Sequence, residues 1–223
     1  MHLEVGHASL LIDAMPDPAP TSPHPAALAA LLKTAAAFER LVVLGLQRSG
    51  THVAAEIIAH ERGLPLFSER DFNYTACQPG TSRIPIPIEQ FIAEHDRFVL
   101  QAPALLQNAH ELARADVLVI FVRRPAEEVR ASRERSGWPG EVAELAKYDQ
   151  DEYAHLYGPD VDLVDKQLAV FEHVTKPKLP HLVEIDYADL TGHPFWLSRH
   201  ERAALRIGQT RPDGNWGTYE TSV

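Results

Sequence analysis

A short apolar segment that runs directly into a glycine-bearing loop constrains the fold more than any other part of the chain. Leu41–Leu44 has the length of a buried parallel strand, and the loop Gly45-Leu-Gln-Arg-Ser-Gly-Thr51 follows it. From about Thr51 to Arg62 apolar residues recur with helical spacing, and Gly63 stands where a C-terminal cap belongs. A strand, a glycine loop and a helix in this order direct backbone N–H groups at one point, so the sequence predicts an anion-binding loop.

The residues within the loop suit a phosphate group. Gly45 and Gly50 let the backbone turn and approach an anion without a Cβ in the way. Ser49 and Thr51 can donate hydroxyl hydrogen bonds, and Arg48 offers a forked, permanently charged donor. We therefore predict that these five residues bind phosphate.

The loop departs from the nucleoside-triphosphate pattern G-x-x-x-x-G-K-[ST]. The first six positions fit, but no lysine follows Gly50, and the cation Arg48 precedes this glycine instead. The apolar segment Val117–Val122 ends in Arg123 and Arg124 rather than in a magnesium-holding aspartate. Both departures argue against a magnesium–ATP site.

Apolar segments alternate with helical patterns along the rest of the chain, which is typical of an α/β protein. We predict a three-layer P-loop fold with a mainly parallel central sheet flanked by helices, in a single domain over residues 26–223. Residues 1–25 are predicted to be an arm and a proline-rich linker. The further strands are predicted at Leu64–Phe67, Phe98–Gln101, Val117–Val122 and Leu182–Ile185, and the further helices at Ala26–Arg40, Pro87–Glu94, Ala104–Ala113, Pro125–Arg135 and Asp162–Val174.

The composition narrows the choice of partners and compartment. The formal net charge is −10, so the overall field does not attract nucleic acid, and an anion site needs local positive charge. Cys77 is the only cysteine, no apolar run can span a bilayer, and Met1–Pro25 lacks the pattern of a signal peptide. We expect a cytoplasmic protein without a membrane span. The 12 histidines show no paired ligand spacing, so no metal is expected.

The loop resembles the 5′-phosphosulfate loop of the sulfotransferases, usually written G-x-P-[RK]-S-G-T-T. Two positions differ, because Gln47 replaces the usual proline and His52 replaces the second threonine. The resemblance implies that the chain uses 3′-phosphoadenosine 5′-phosphosulfate (PAPS) as a donor substrate. The donor itself supplies the reactive group, so this chemistry requires no metal.

A second segment, Val119-Ile-Phe-Val-Arg-Arg-Pro-Ala-Glu-Glu-Val-Arg-Ala-Ser132, resembles the 3′-phosphate segment of the same family. There a strand is followed by R-[ND]-P-x-[DE]-V and, one helical stretch later, by a serine. The resemblance implies that Ser132 and one arginine hold the 3′-phosphate. Counting back from Ser132 favours Arg124, whereas counting from Pro125 favours Arg123, and both remain candidates. The other arginines of the helix, Arg130, Arg133 and Arg135, are predicted on its solvated outer face.

A third segment, Leu182–Pro194, resembles the late strand and the "YEDL…P" turn of the family, where a tyrosine lies near the adenosine. Tyr187 is the matching residue here. The three matches follow the order of the family over residues 45–194.

The residue that activates the acceptor is harder to assign. Cytosolic sulfotransferases carry a histidine in a "T-H-x-P" turn, but Ala102 occupies that position, and Gln101 stands near where other groups carry a lysine. In the tyrosylprotein sulfotransferases a glutamate follows the strand after the loop helix. This placement implies Glu69 as the base, with Asp71 as a neighbour that could substitute.

His52 is a second candidate base because it lies inside the loop. Glu69, Arg48 and His52 are therefore the predicted catalytic residues. The predicted reaction is transfer of a sulfuryl group from PAPS to a hydroxyl of a small-molecule or peptide acceptor.

Two other functions stay open. One is a P-loop kinase of small molecules or nucleotides, which the missing lysine argues against. The other is a non-catalytic nucleotide-binding module, which Gln101 and Ala102 motivate. Residues Gln78–Pro87 and Trp138–Pro159 are the expected places for an acceptor pocket.

Overall fold

The computed structural model describes residues 25–68, 88–106, 109–137, 154–158, 160–193, 195–196, 209–210 and 216–217. Glu69 and Asp71 lie outside this described part, as do Gln78–Pro87 and most of Trp138–Pro159. The predicted linker over residues 1–25 lies outside it except for its last residue.

Five parallel strands form the central sheet: Arg40–Gly45 (β1), Leu66–Ser68 (β2), Phe98–Gln101 (β3), Val117–Arg123 (β4) and Leu182–Asp186 (β5). Their order across the sheet is β2-β3-β1-β4-β5. Each lies within two residues of a predicted strand. Gly45 at the end of β1 pairs with Val122 near the end of β4, so the two segments that carry the predicted site begin side by side. A separate antiparallel pair joins Gln209–Thr210 (β6) and Trp216–Gly217 (β7).

Helices cover both faces of the sheet, and each face has its own hydrophobic core. The alternation along β1 divides the strand between them, since Leu41 and Val43 face one core and Val42 and Leu44 face the other. Helices Ala26–Ala35 (α1) and Thr51–Arg62 (α2) pack on the first face, and Ile88–Glu94 (α3), Ala126–Ser136 (α4) and Leu163–Val170 (α5) pack on the second. The prediction of a three-layer α/β P-loop fold with a parallel sheet is thereby confirmed.

Three helix predictions need correction. The predicted helix Ala26–Arg40 ends at Ala35, because the chain turns there to enter β1. The predicted helix Ala104–Ala113 is wrong, since two 3₁₀ turns, Pro103–Leu105 and Ala109–Leu112, occupy this stretch. The predicted helix Asp162–Val174 is divided into α5 and a π turn over Phe171–Thr175. The apolar residues whose spacing suggested these helices are buried, but they lie on shorter helical turns than predicted.

The connections of the sheet create a crevice between β1 and β4. From β1 the chain passes through α2 on the first face and moves towards β2. From β4 it passes through α4 and α5 on the second face and moves towards β5. Ligands of open α/β sheets bind at such a reversal, outside the carboxyl ends of the strands. None of the helices in the described ranges is long and apolar enough to cross a membrane.

Candidate functional site

The two glycines of the loop are required by close approaches of the backbone. A Cβ built on Gly45 would lie 2.5 Å from Ser49 Oγ and 2.9 Å from the carbonyl oxygen of Val122. Gly50 has a φ of +95°, and a Cβ there would lie 2.3 Å from two ring carbons of Tyr187. The loop is therefore packed against β4 on one side and against an aromatic ring on the other.

The interior of the loop is suited to an anion. Gly50 is the N-cap of α2 and no side chain caps this helix, so the first turn offers its backbone N–H groups to a ligand. Ser49 is fully buried, and its Oγ has no hydrogen-bond partner among the described residues. A buried hydroxyl without a partner costs about 1–3 kcal/mol, which a bound oxyanion can offset by accepting its hydrogen bond. These residues therefore fit a phosphate group.

Arg48 extends from the loop towards α4. It is exposed, has a φ of +78°, and its Nε lies 3.4 Å from Ser132 Oγ. A positive φ at a residue other than glycine costs of order 1–3 kcal/mol and is often found at ligand sites. The two residues that were predicted at opposite ends of the donor are thus neighbours across the crevice.

Arg124 and Arg123 follow one another in the chain but have different surroundings. Arg124 donates a hydrogen bond to the carbonyl oxygen of Arg48 (3.0 Å), and its guanidinium lies 4.3 Å from the ring centre of Tyr187. Arg123 instead lies between two carboxylates and pairs with Glu172 and Glu184. Of the two candidates, Arg124 lies at the loop and pairs with the half-exposed Glu128 at 3.0 Å, whereas Arg123 is held by two carboxylates away from the loop.

Tyr187 follows β5 and closes one side of the crevice. Its ring contacts Gly50 and the Arg124 guanidinium, and Trp196 packs edge-on against it with ring centres 4.4 Å apart. The ring is half-buried, and part of its surface borders the loop.

Arg133 does not lie on the outer face of α4, contrary to the prediction. Its side chain is buried and donates hydrogen bonds to the carbonyl oxygen of Gln47 (3.2 Å) and to Oε1 of Gln167 (2.7 Å). A signal for this burial was present in the sequence. Val129, Ser132 and Arg133 are spaced i, i+3 and i+4, which is one face of a helix, and all three are buried.

Of the two candidate bases, Glu69 and His52, only His52 lies in the part of the chain that the structure describes. Glu69 lies outside the described residues. His52, in the first turn of α2, pairs through Nε2 with Oε1 of Glu56 at 3.2 Å, and 38% of its side chain is exposed. Ala102 is fully buried, and Gln101 donates a hydrogen bond to Thr51 Oγ1 at 3.1 Å. Gln101 therefore acts on the loop as a neutral donor.

The network around Arg123 makes the fold sensitive to acid. Burial raises the pKa of Glu172 and of Glu184, but hydrogen bonds from Arg123 and Lys176 outweigh it and hold the pKa of both carboxyls below its usual range. A carboxyl with a depressed pKa in the folded state stabilises the fold above its unfolded pKa, about 4.3. This stabilisation is lost as the pH falls through the folded pKa.

We therefore expect Arg123→Gln to lower the urea midpoint clearly at pH 7 and much less at an acidic pH below the lowered pKa of Glu172 and Glu184, where both carboxyls are protonated in the wild type as well. Urea unfolding of both proteins at the two pH values measures the difference. Arg97→Gln is the control, because Arg97 and Glu39 form a largely exposed pair of small expected effect. An equal loss at both pH values would contradict the role of the ion pairs.

Comparison with known proteins identifies no family. No protein-family model matches the sequence, and no curated protein matches it at a significant level. Solved structures similar to the chain include a gluconokinase from Sinorhizobium meliloti 1021, with 15% identity, a TM-score of 0.38, and coverage of 75% of this chain and 96% of that chain. Another is a shikimate kinase from Acinetobacter baumannii in complex with shikimate, with 13% identity, a TM-score of 0.41, and coverage of 78% and 97%.

A third is an uncharacterized protein from Eubacterium ventriosum ATCC 27560, with 14% identity, a TM-score of 0.36, and coverage of 76% and 98%. The two neighbours with named activities are kinases, the class that the sequence left as an alternative. No comparison confirms the sulfotransferase family. TM-scores of 0.36 to 0.41 at these identities carry no argument about the activity of this chain.

Proposed function

We propose that the crevice between β1 and β4 binds a nucleotide donor with two separate anionic groups, and that the chain transfers a sulfuryl group from PAPS to an acceptor hydroxyl. The observation that carries this proposal is the placement of Arg124 at the loop while Arg48 reaches Ser132. Two guanidinium groups and a hydroxyl thus lie beside the phosphate loop, although the chain as a whole has a charge of −10. A single phosphate does not require this second cationic position.

The loop is the proposed site of the 5′-phosphosulfate. Backbone N–H groups at the start of α2 and the Ser49 hydroxyl would donate to its oxygens, and Thr51, Gly45 and Gly50 complete the cradle. Arg48 would stabilise the negative charge that builds on the leaving phosphate.

Arg124 and Ser132 are proposed to hold the 3′-phosphate, and Tyr187 to contact the adenosine. An arginine offers two parallel donors to a phosphate, which fits a position at the end of a strand. We do not assign Arg123 to this phosphate, because it would have to leave both Glu172 and Glu184, whereas Arg124 pairs with the half-exposed Glu128.

Sulfuryl transfer needs few groups from the protein. The acceptor oxygen forms a bond to sulfur, the bond from sulfur to the bridging phosphate oxygen breaks, and the acceptor proton goes to a base. Glu69 is the proposed base by its position after β2, and His52 is the second candidate. Glu69→Gln should abolish sulfuryl transfer while nucleotide binding is retained. This result would distinguish an enzyme from a module that only binds the nucleotide.

A kinase is the second candidate function, and the observation in its favour is that the first six positions of the loop, Gly45–Gly50, fit the nucleoside-triphosphate pattern. The local chemistry opposes it. A magnesium–ATP loop of this type uses a lysine after its last glycine and an acidic residue for the metal. Here Thr51 follows Gly50, and the strands on either side of β1 end in Gln101 and in Arg123.

Titration calorimetry with adenosine 3′,5′-bisphosphate (PAP) and with ATP distinguishes the two candidates. We expect PAP to bind at least tenfold more tightly than ATP, which corresponds to about 1.4 kcal/mol, and magnesium to leave PAP binding unchanged. Adenosine 5′-monophosphate is the control ligand, because it lacks the 3′-phosphate and should bind more weakly than PAP. Preference for ATP in the presence of magnesium would overturn the sulfotransferase proposal in favour of the kinase.

A further inference from the structure

The carboxyl end of β3 contributes one polar side chain to the phosphate loop, on the side of β1 that lies opposite β4. Gln101 is the last residue of β3 and is paired with Val43 of β1 in the sheet. Its Nε2 donates a hydrogen bond to Thr51 Oγ1 at 3.1 Å. None of the proposed donor contacts uses Gln101, so its described action on the site is through Thr51.

Thr51 is held in one orientation at the start of α2. The side chain is 4% exposed, and a Cβ built on Gly45 would lie 2.9 Å from its methyl carbon, Cγ2. Because the methyl group packs over Gly45, the hydroxyl on the other branch of the same carbon reaches Gln101. A β-branched side chain is stiff about its first torsion, so packing of the methyl group also fixes the hydroxyl oxygen.

The bond from Gln101 sets the direction of the Thr51 hydroxyl hydrogen. A hydroxyl has one hydrogen to donate and two lone pairs that accept. In the described part of the chain, Thr51 accepts from Gln101, and no group accepts the hydroxyl hydrogen in return. The hydrogen therefore points away from the amide and can be donated to a ligand. A side chain at position 101 that only accepts would reverse the bond and take this hydrogen.

A second hydroxyl of the loop also has its hydrogen available. Ser49 Oγ is buried, has no partner in the described ranges, and would lie 2.5 Å from a Cβ built on Gly45. Ser49 and Thr51 thus flank Gly45 at the start of α2, where the first backbone hydrogen bond of the helix is donated by Ala54. Two hydroxyls and the N–H groups of a first helical turn together suit an oxyanion.

We propose that Gln101 is a positioning residue of the donor site, which directs the Thr51 hydroxyl to donate to the 5′-phosphate group of the bound nucleotide. The amide N–H donates to the hydroxyl and the hydroxyl donates to a phosphate oxygen, so each bond polarises the next. A carboxylate at position 101 would take the hydroxyl hydrogen and place a negative charge beside the anion. The inference rests on the proposed function for the identity of the donor, and it extends that function to a residue that contacts the loop and not the ligand.

Gln101→Glu tests the direction of the bond, because it keeps the length of the side chain and replaces the donor by an acceptor. We expect PAP affinity at neutral pH to fall at least about tenfold. A protonated carboxyl donates again, so the ratio of wild-type to variant affinity should shrink as the pH falls towards the pKa of the new carboxyl, ordinarily about 4.3. Gln90→Glu is the control, because it adds the same charge to the exposed side of α3 and should leave PAP affinity unchanged.

A double-mutant cycle separates the hydrogen bond from the charge. Gln101→Met removes the amide without adding a charge and should weaken PAP roughly fivefold. Thr51→Val removes the hydroxyl and keeps the shape of the side chain. When Thr51→Val is already present, Gln101→Met should have no further effect, because the hydroxyl that the amide orients is gone. An equal loss of affinity from Gln101→Met in both backgrounds would overturn the inference.

Calorimetry with inorganic pyrophosphate, in parallel with PAP, distinguishes failure of this inference from failure of the proposed function. If the wild type binds pyrophosphate and shows no preference for PAP, the proposed donor is wrong, and the cycle measured with pyrophosphate still tests Gln101. If the wild type prefers PAP and the two substitutions are additive, the inference is wrong and the proposed function stands. If the wild type binds neither probe, both fail.

Discussion

Replacing Gly50 with alanine is expected to reduce PAP affinity on the order of a hundredfold and to destabilise the fold. The φ of +95° alone costs a residue with a Cβ about 1–2 kcal/mol. The new methyl group would also lie 2.3 Å from two ring carbons of Tyr187, a separation that no packed pair of carbons tolerates. Either Tyr187 or the start of α2 must move, and both border the proposed anion site.

Gly63 provides the matched control, because it shares the backbone strain without the contact. It has a φ of +59° as the cap residue that ends the same helix, and nothing lies within 4 Å of an added Cβ. Gly63→Ala should therefore lower the thermal midpoint by the cost of the left-handed backbone and leave PAP affinity unchanged. Thermal unfolding and calorimetry on the two variants measure this difference.

A double mutant tests the mechanism of the Gly50 effect. Adding Tyr187→Ala to Gly50→Ala removes the ring that the methyl group meets, so the double mutant should be more stable than the sum of the two single changes predicts. Strict additivity would show that the ring is not the cause, and that the conformation of the loop alone makes Gly50 necessary.

Local patterns in the sequence carried the prediction of the site. Leu41–Leu44, the glycine loop and the helix from Thr51 to Arg62 are adjacent in the chain, so periodicity and two glycines were enough to place them. The parallel sheet followed from alternation of strands and helices, without knowledge of the strand order. Helices were predicted less well where apolar spacing continued through turns, and the helix predicted over Ala104–Ala113 was wrong for this reason.

The sequence did not predict contacts between segments that are distant along the chain. Arg123 and Arg124 are adjacent at the end of β4 but have different partners. Arg123 pairs with Glu172 and Glu184, which lie some 50 to 60 residues later in the chain. Arg123 points to the same side as Phe121, which stacks on Phe171 just before Glu172. Strand alternation predicts the side of the sheet on which each arginine lies, but it does not predict which residues the arginine meets there.

The burial of Arg133 shows a different limitation. Its helical spacing from Val129 predicts the buried face, whereas its charge favours the surface. In the structure the side chain is buried, and Gln47 and Gln167 accept hydrogen bonds from two of its three guanidinium nitrogens. A buried charge of this kind needs hydrogen-bond acceptors from two other elements, and the sequence alone does not give their positions.

The second large effect is expected at Arg124. Arg124→Gln should weaken PAP about 30- to 100-fold, the equivalent of the roughly 2–3 kcal/mol of a charge-assisted hydrogen bond to phosphate. Adenosine 5′-monophosphate should lose much less, because it lacks the phosphate that this arginine is proposed to hold. The ratio of the two affinities, measured by calorimetry, therefore reports the 3′-phosphate contact and not a general weakening of the site.

Arg123→Gln is the control one residue away. It leaves Glu172 and Glu184 with Lys176 as their described cationic partner, so it should destabilise the fold while the preference for PAP over the monophosphate is retained. The opposite outcome, a loss of this preference in Arg123→Gln alone, would move the 3′-phosphate to the other arginine. Because the two variants remove the same charge from adjacent positions, a difference in the ratio of PAP to monophosphate affinity reports which guanidinium contacts the 3′-phosphate, while the stability of each variant reports its lost ion pairs.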